Sequence, residues 1–221
     1  MPPGQTQAAL RGAFRIWGLP DGLRGDNGIP WGSRGDLPTD LDLWLAGLGV
    51  PVHFNPPRRP QDNGVVERSQ GTGKRWGDPL TAADAAALQV VMDQMDRRQR
   101  EHYPYCGRRS RMDCFPTLQH SGRPYDPAAE EQQWSAERAW DLLARKVVVR
   151  QVSRQGTVSV YNRNYYVGKP QAQQQVFVRF DPQQRLWLFA DRANHLLNQH
   201  AAPELSAANI LGLTVTHRRK G

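Results

Sequence analysis

Leu19-Pro20-Asp21-Gly22-Leu23-Arg24-Gly25-Asp26-Asn27-Gly28 opens a stretch that closes on Asn55-Pro56-Pro57-Arg58-Arg59-Pro60-Gln61-Asp62-Asn63-Gly64-Val65-Val66-Glu67-Arg68. Gly22 to Asp26 is long enough only for a brief strand, and Asp26 falls where that strand gives way to an Asn27-Gly28 turn. A helix-like segment, Leu37 to Gly47, follows; its core, Asp40 to Leu48, reads as an amphipathic helix with Leu41, Trp44, Leu45 and Leu48, stopped by Gly49. Val50 to Phe54 is a second short strand. Helix resumes at Val65 and puts Glu67 in its first turns, where the macrodipole favours a carboxylate. Short strands alternating with helices make this end of the chain α/β. Each end of the stretch carries one carboxylate, Asp26 or Glu67, beside an Asn-Gly pair. Singly, each has a plainer reading: Asn27-Gly28 as a turn, Glu67 as a helix-start acid without chemistry.

Outward from this stretch, residues 1–8 are rich in Pro, Gly and Gln and are expected to be loose, while Leu10 to Trp17 has helical apolar spacing. Downstream, Ala82 to Glu101 reads as a long helix capped by Thr81 or Asp78, with Leu88, Val91, Met92 and Met95 as its apolar stripe. It ends in Arg97, Arg98 and Arg100, which are either a solvated helix terminus or contacts to phosphates. His102 to Pro127 is irregular, and its Arg108, Arg109, Arg111 and Arg123 suit phosphate clamping. His102, Cys106, Cys114 and His120 lack the spacing of a zinc finger and read as isolated thiols and loop histidines.

From Ser135 to Arg145 the spacing is again helical, with no capping box at its start. Five short β-rich runs then follow, Lys146–Val152, Thr157–Tyr161, Asn164–Gly168, Val176–Phe180 and Leu186–Ala190, separated by turn signals. Strands at this spacing predict a small antiparallel barrel, closed to avoid open edges. Ala193–Asn198 and Glu204–Leu211 are expected to be short helices, and His217-Arg218-Arg219-Lys220 a basic tail.

Lys and Arg number 29 against 21 Asp and Glu, a formal charge of +8. A balance this basic points to a phosphate-rich partner, nucleic acid above all. Two cysteines make no disulfide framework, no apolar run approaches the ~20 residues of a membrane span, and Met1 to Leu10 is not a signal peptide. These features predict a cytoplasmic protein. Seven Trp and six Tyr supply enough large anchors for a packed core.

Taken together and in order, Leu19–Pro30, Trp44-Leu45…Leu48-Gly49-Val50 and Asn55–Ser69 resemble the DDE transposases and retroviral-type integrases, which share a ribonuclease H-like catalytic core. The resemblance covers residues 8–76; Asp-Asn-Gly by itself would carry little. In that family three carboxylates hold two Mg²⁺ ions, which lie ~3.5–4 Å apart and activate water or a DNA 3′-hydroxyl for in-line displacement. By resemblance Asp26 matches the second acid and Glu67 the third, both catalytic and both metal ligands. Asn27, Arg58, Arg59, Asn63, Arg68 and Lys74 would then lie along the DNA, with Arg97, Arg98, Arg108, Arg109 and Arg111 on its backbone. The β-rich end resembles, by layout, the small barrel that follows the core in insertion-sequence and phage Mu-type transposases.

The family's first Asp has no match here, since Asp21, the sole earlier acid, sits in the loop before the matched strand. The expectation is therefore the C-terminal part of a transposase: a partial integrase core over 1–76, a helical and irregular basic linker over 77–145, a β-barrel over 146–192, and short helices with a basic tail over 193–221. Alone it should not transfer strands. Its function is DNA integration and transposition by Mg²⁺-dependent phosphoryl transfer as part of a larger enzyme, or else non-catalytic binding of DNA or of a transposase. Expected partners are transposon-end and target DNA, and another copy or a full-length transposase; no membrane is expected.

Overall fold

A computed structural model describes residues 2–25, 28, 31, 36–55, 64–76 and 82–216. The order is α1 (Pro3–Trp17), β1 (Leu23–Gly25), α2 (Asp40–Gly47), β2 (Val52–Phe54), α3 (Gly64–Trp76), α4 (Ala85–Glu101), α5 (Arg111–Cys114), α6 (Glu130–Gln133) and α7 (Ala136–Ala144). Then come β3 (Val147–Gln151), β4 (Thr157–Val160), β5 (Arg163–Tyr166), β6 (Gln175–Asp181), β7 (Leu186–Ala190), β8 (Leu196–Ala201) and α8 (Ala207–Leu211). Helix and sheet are thus mixed, and the C-terminal region is antiparallel β.

α2 is the central element. Thr39 and Asp42 form a capping box: the Thr39 hydroxyl accepts from Asp42 N–H, and the Asp42 carboxylate from Thr39 N–H. Leu41, Leu43, Trp44 and Leu45 are at most 1% exposed. The expected amphipathic helix is instead buried all round, because Asp-Leu-Asp-Leu-Trp-Leu-Ala-Gly has no solvated stripe to offer. Its acids are consumed locally: Asp42 by the cap, and Asp40 by the Thr216 N–H and hydroxyl. Beyond Leu48, Gly49 takes a φ of 70°, and Val50 N–H returns to Leu45 O to close the helix.

Three neighbours pack on α2. Phe14 of α1 stacks on Trp44 with centroids 6.1 Å apart. Trp134, just before α7, donates its indole N–H to Trp44 O at 3.0 Å, and α7 and α8 both contact α2. Arg123 reaches Pro20 O, Leu48 O and Gly49 O, and Arg138 reaches Gly47 O. Arg123, which by sequence suits phosphate clamping, thus stitches loops together. α1 begins at Pro3, where residues 1–8 were expected to be loose; Thr6 and Gln7 are buried, and Gln7 Nε2 donates to Leu211 O at 3.0 Å. Glu130, 5% exposed, receives Arg11 Nε at 2.9 Å and the Tyr125 hydroxyl.

β1 and β2 pair in parallel, Leu23 with Val52 through Gly25 with Phe54, joined by a crossover through α2. The described residues hold this parallel pair and do not display a ribonuclease H-like core.

In the C-terminal region β3-β6-β7-β8 form a four-stranded antiparallel sheet, and β4-β5 a separate hairpin. The expected closed barrel is not present: among the described residues no backbone ladder joins the hairpin to either sheet edge. Side chains join β5 to β8 instead. His200 Nε2–H and Asn198 Nδ2–H both donate to Tyr166 O, at 2.6 and 3.1 Å. Glu204, fully buried, accepts from the Tyr165 hydroxyl and from Trp187 Nε1, each at 2.7 Å, with Arg163 Nε at 3.7 Å. The expected helix over 193–198 is corrected to β8, whose Leu196 to Ala201 pair with β7. Ser135, without a capping box in sequence, nevertheless caps α7 by accepting from Arg138 N–H. Buried apolar side chains from Phe14 to Val215 form one cluster that spans α1, α2, α7 and the β region.

Two consequences can be measured. A Cβ at Gly47 would overlap the Trp134 indole, so Gly47→Ala should lower unfolding stability by about 2–3 kcal/mol in urea titrations, with the Trp134–Trp44 bond displaced. Burial alone would raise the Glu130 pKa, but hydrogen bonds from Arg11 and Tyr125 outweigh it and hold it below the ordinary value. A depressed folded-state pKa gives stability that is present above the unfolded-state pKa, ~4, and lost as pH falls through the folded value. Glu130→Gln should cost about 2 kcal/mol at neutral pH, less than a fully buried pair because Arg11 is a third exposed. It should also flatten the loss of stability on acidification, read from urea midpoints across that range.

Candidate nucleic-acid interface

α3 and α4 carry the first set of candidate side chains. Glu67 lies in the first turn of α3 and is exposed, as are Arg68 and Lys74 further along it. α4 is capped by Asp84, whose carboxylate accepts from Ala87 N–H at 2.8 Å; the helix therefore starts after the Asp78–Thr81 segment named from sequence, not at Ala82. Its apolar stripe stays largely uncovered, with Val91 and Met92 exposed. Arg97 and Arg98 are exposed near its C-terminus, while Arg100 pairs with Asp96 and lies 5.4 Å over the Trp17 ring.

After α4 the chain builds a small arm. Tyr103 N–H donates to Arg98 O; Arg109 N–H and Cys106 O then close a tight turn in which Gly107 adopts a φ of 66°. Ser110 and Asp113 form a capping box on α5. Arg109 donates to Asp113 O, and Arg111 reaches Gln99 Oε1 at 3.3 Å with its guanidinium 5.3 Å over Tyr105. Arg111 is thus largely an internal tether. Arg108, at the tip of the turn, is exposed.

Among the residues named from sequence, Arg68, Lys74, Arg97, Arg98, Arg108 and Arg109 are exposed and described. Asp26, Asn27, Arg58, Arg59 and Asn63 lie outside the described residues. Two further features join these cations. Tyr105 and Phe115 stand out of the arm among its arginines, a pattern visible as aromatic and basic residues interleaved from Tyr103 to Phe115. The strands also set Arg179 beside exposed Val147 and Val149 on the outer face of the sheet, where single basic residues in β runs give little signal.

As for metal, among the described residues no group of three His, Cys, Asp or Glu side chains could hold an ion. That covers Cys106 and Cys114, both free thiols. Glu67 has the hard oxygens that suit Mg²⁺, yet by itself it does not make a two-metal centre. Its matched partner Asp26 lies outside the described residues.

The end of α7, strands β3 to β7 and the first residue of β8 decide the comparison with known proteins. Residues 141–196 match the family model described as Mu transposase, C-terminal. The match supports a transposase. It bears on the β-rich region and leaves the stretch from Leu19 to Glu67 to its sequence resemblance alone. Among the described residues, no helix is long and apolar enough to cross a membrane.

Proposed function

We propose that this chain serves DNA transposition as a DNA-binding part of a transposase, engaging the phosphate backbone through its exposed cations. The observation that carries this reading is the Mu transposase C-terminal match over residues 141–196, in a chain of net charge +8. Arg97, Arg98 and Arg108, with Arg68 and Lys74 on α3, are the side chains that would meet phosphates; contacts of this kind set position and affinity without reading sequence.

In the finer form of the proposal, Asp26 and Glu67 belong to a DDE-type, ribonuclease H-like core that acts with Mg²⁺. The support is the ordered set of motifs from Leu19 to Ser69. Two matched carboxylates do not complete a two-metal site, so no catalytic step is assigned to this chain by itself. The alternative is a module that binds DNA or a transposase without catalysis, a reading supported by the family match lying over the end of α7 and the β-rich region, away from both matched carboxylates.

The purified chain should bind duplex DNA with an affinity that falls steeply between low and moderate salt. Arg97→Ala and Arg108→Ala should each reduce the slope of log affinity against log salt by about 1. A flat salt response would count against phosphate contact. With Mg²⁺ present, the chain should neither nick nor join end DNA; nicking abolished by Asp26→Ala would show that it holds a complete site and overturn that expectation.

A further inference from the structure

Neither the fold nor duplex binding accounts for the aromatic side chains of the arm. Tyr105 is 54% and Phe115 49% exposed. Their rings lie against each other, centroids 5.8 Å apart at an interplanar angle of 64°, so they form a pair rather than two stray apolar residues. The pair is held in place. Tyr105 N–H donates to Arg109 O at 2.9 Å, and the Arg111 guanidinium lies over the Tyr105 ring while bonded to Gln99 of α4. Phe115 follows α5, fixed by its N–H to Arg111 O at 2.8 Å and by the Ser110–Asp113 cap. The cation Arg108 projects from the turn between them in sequence.

A rigid, exposed aromatic pair beside cations has a recognisable chemical use. Stacked bases inside a duplex bury their faces against one another, so a duplex needs only the arm's positive charge. Unpaired bases present free π-faces, and aromatic side chains near a basic track take them up without regard to sequence. We propose that the Tyr105–Phe115 pair is a stacking platform for unpaired DNA bases, with Arg108 on the adjoining phosphate. This rests on the DNA-binding reading above and narrows its substrate to DNA with single-stranded or opened segments.

The test measures binding of the full chain, by fluorescence anisotropy at one salt concentration, to an oligothymidine, to a fully paired duplex, and to the same duplex with a central unpaired bubble. The doubly substituted Tyr105→Ala/Phe115→Ala chain should lose about tenfold in affinity for the oligothymidine and the bubble, while its duplex affinity stays within about twofold. The conservative Tyr105→Phe/Phe115→Tyr chain should bind as the parent does, and circular dichroism should show all three chains equally folded. Duplex binding without preference for unpaired DNA, or an oligothymidine affinity untouched by the double substitution, overturns the platform while leaving phosphate binding intact. The latter result would point to a protein surface instead. Failure of the parent chain to bind any of the three DNAs would overturn the DNA-binding reading itself.

Discussion

The burial of α2 is the constraint on which the rest of the structure depends. A helix with Leu41, Leu43, Trp44, Leu45 and Leu48 on it cannot present a wet face, and each such side chain is worth roughly 1.5–3 kcal/mol when taken out of water. Every major neighbour is placed by the need to cover it. Phe14 brings α1 against Trp44, Trp134 and α7 cover the other flank, and α8 packs on the same helix. Gly47 and Gly49 matter for the same reason: one lets the Trp134 indole come close, and the other turns the chain sharply into β2. Arg123 and Arg138 then spend their charge on the carbonyls at this helix end.

A second constraint organises the β region. The hairpin β4-β5 would leave edge groups unpaired beside β8, and side chains replace the missing ladder. His200 and Asn198 serve Tyr166 O, while Glu204, wholly buried, gathers Tyr165 from one piece and Trp187 from the other. A buried carboxylate is tolerated when its oxygens are satisfied in this way and a guanidinium stands near, as Arg163 does. The region therefore coheres without closing. The cations left over from these internal duties, Arg97 and Arg108 among them, are the ones available to a phosphate backbone.

Much of this was legible in the sequence where local chemistry decides the outcome. The strand–helix–strand order around α2 and the β runs from Val147 to Ala190 follow from apolar spacing and turn residues. What failed were points that tertiary contacts decide. Residues 3–8 look loose by composition, yet α1 extends through them because Gln7 finds Leu211 O far along the chain. Ala193 to Asn198 look helical, but Leu196 to Ala201 pair with β7 and form a strand. Arg111 and Arg123 suit phosphate contacts by residue type, and the fold adds that Gln99 and the carbonyls of Leu48 and Gly49, just past α2, bond them. Of the candidate site, the basic end of α4 and the arm could be read directly. The aromatic pair within the arm could not be singled out until Tyr105 and Phe115 were seen touching in the open.

Hydrogen–deuterium exchange of the chain with and without DNA tests the account most directly. Amides of α2, β6 and β7 should exchange slowest in both states, because their side chains belong to the buried apolar cluster. DNA should slow exchange in the last turn of α4 and through the arm to Phe115, leaving α2 unchanged. Fast exchange in α2, or DNA protection that bypasses residues 97–115, would contradict it.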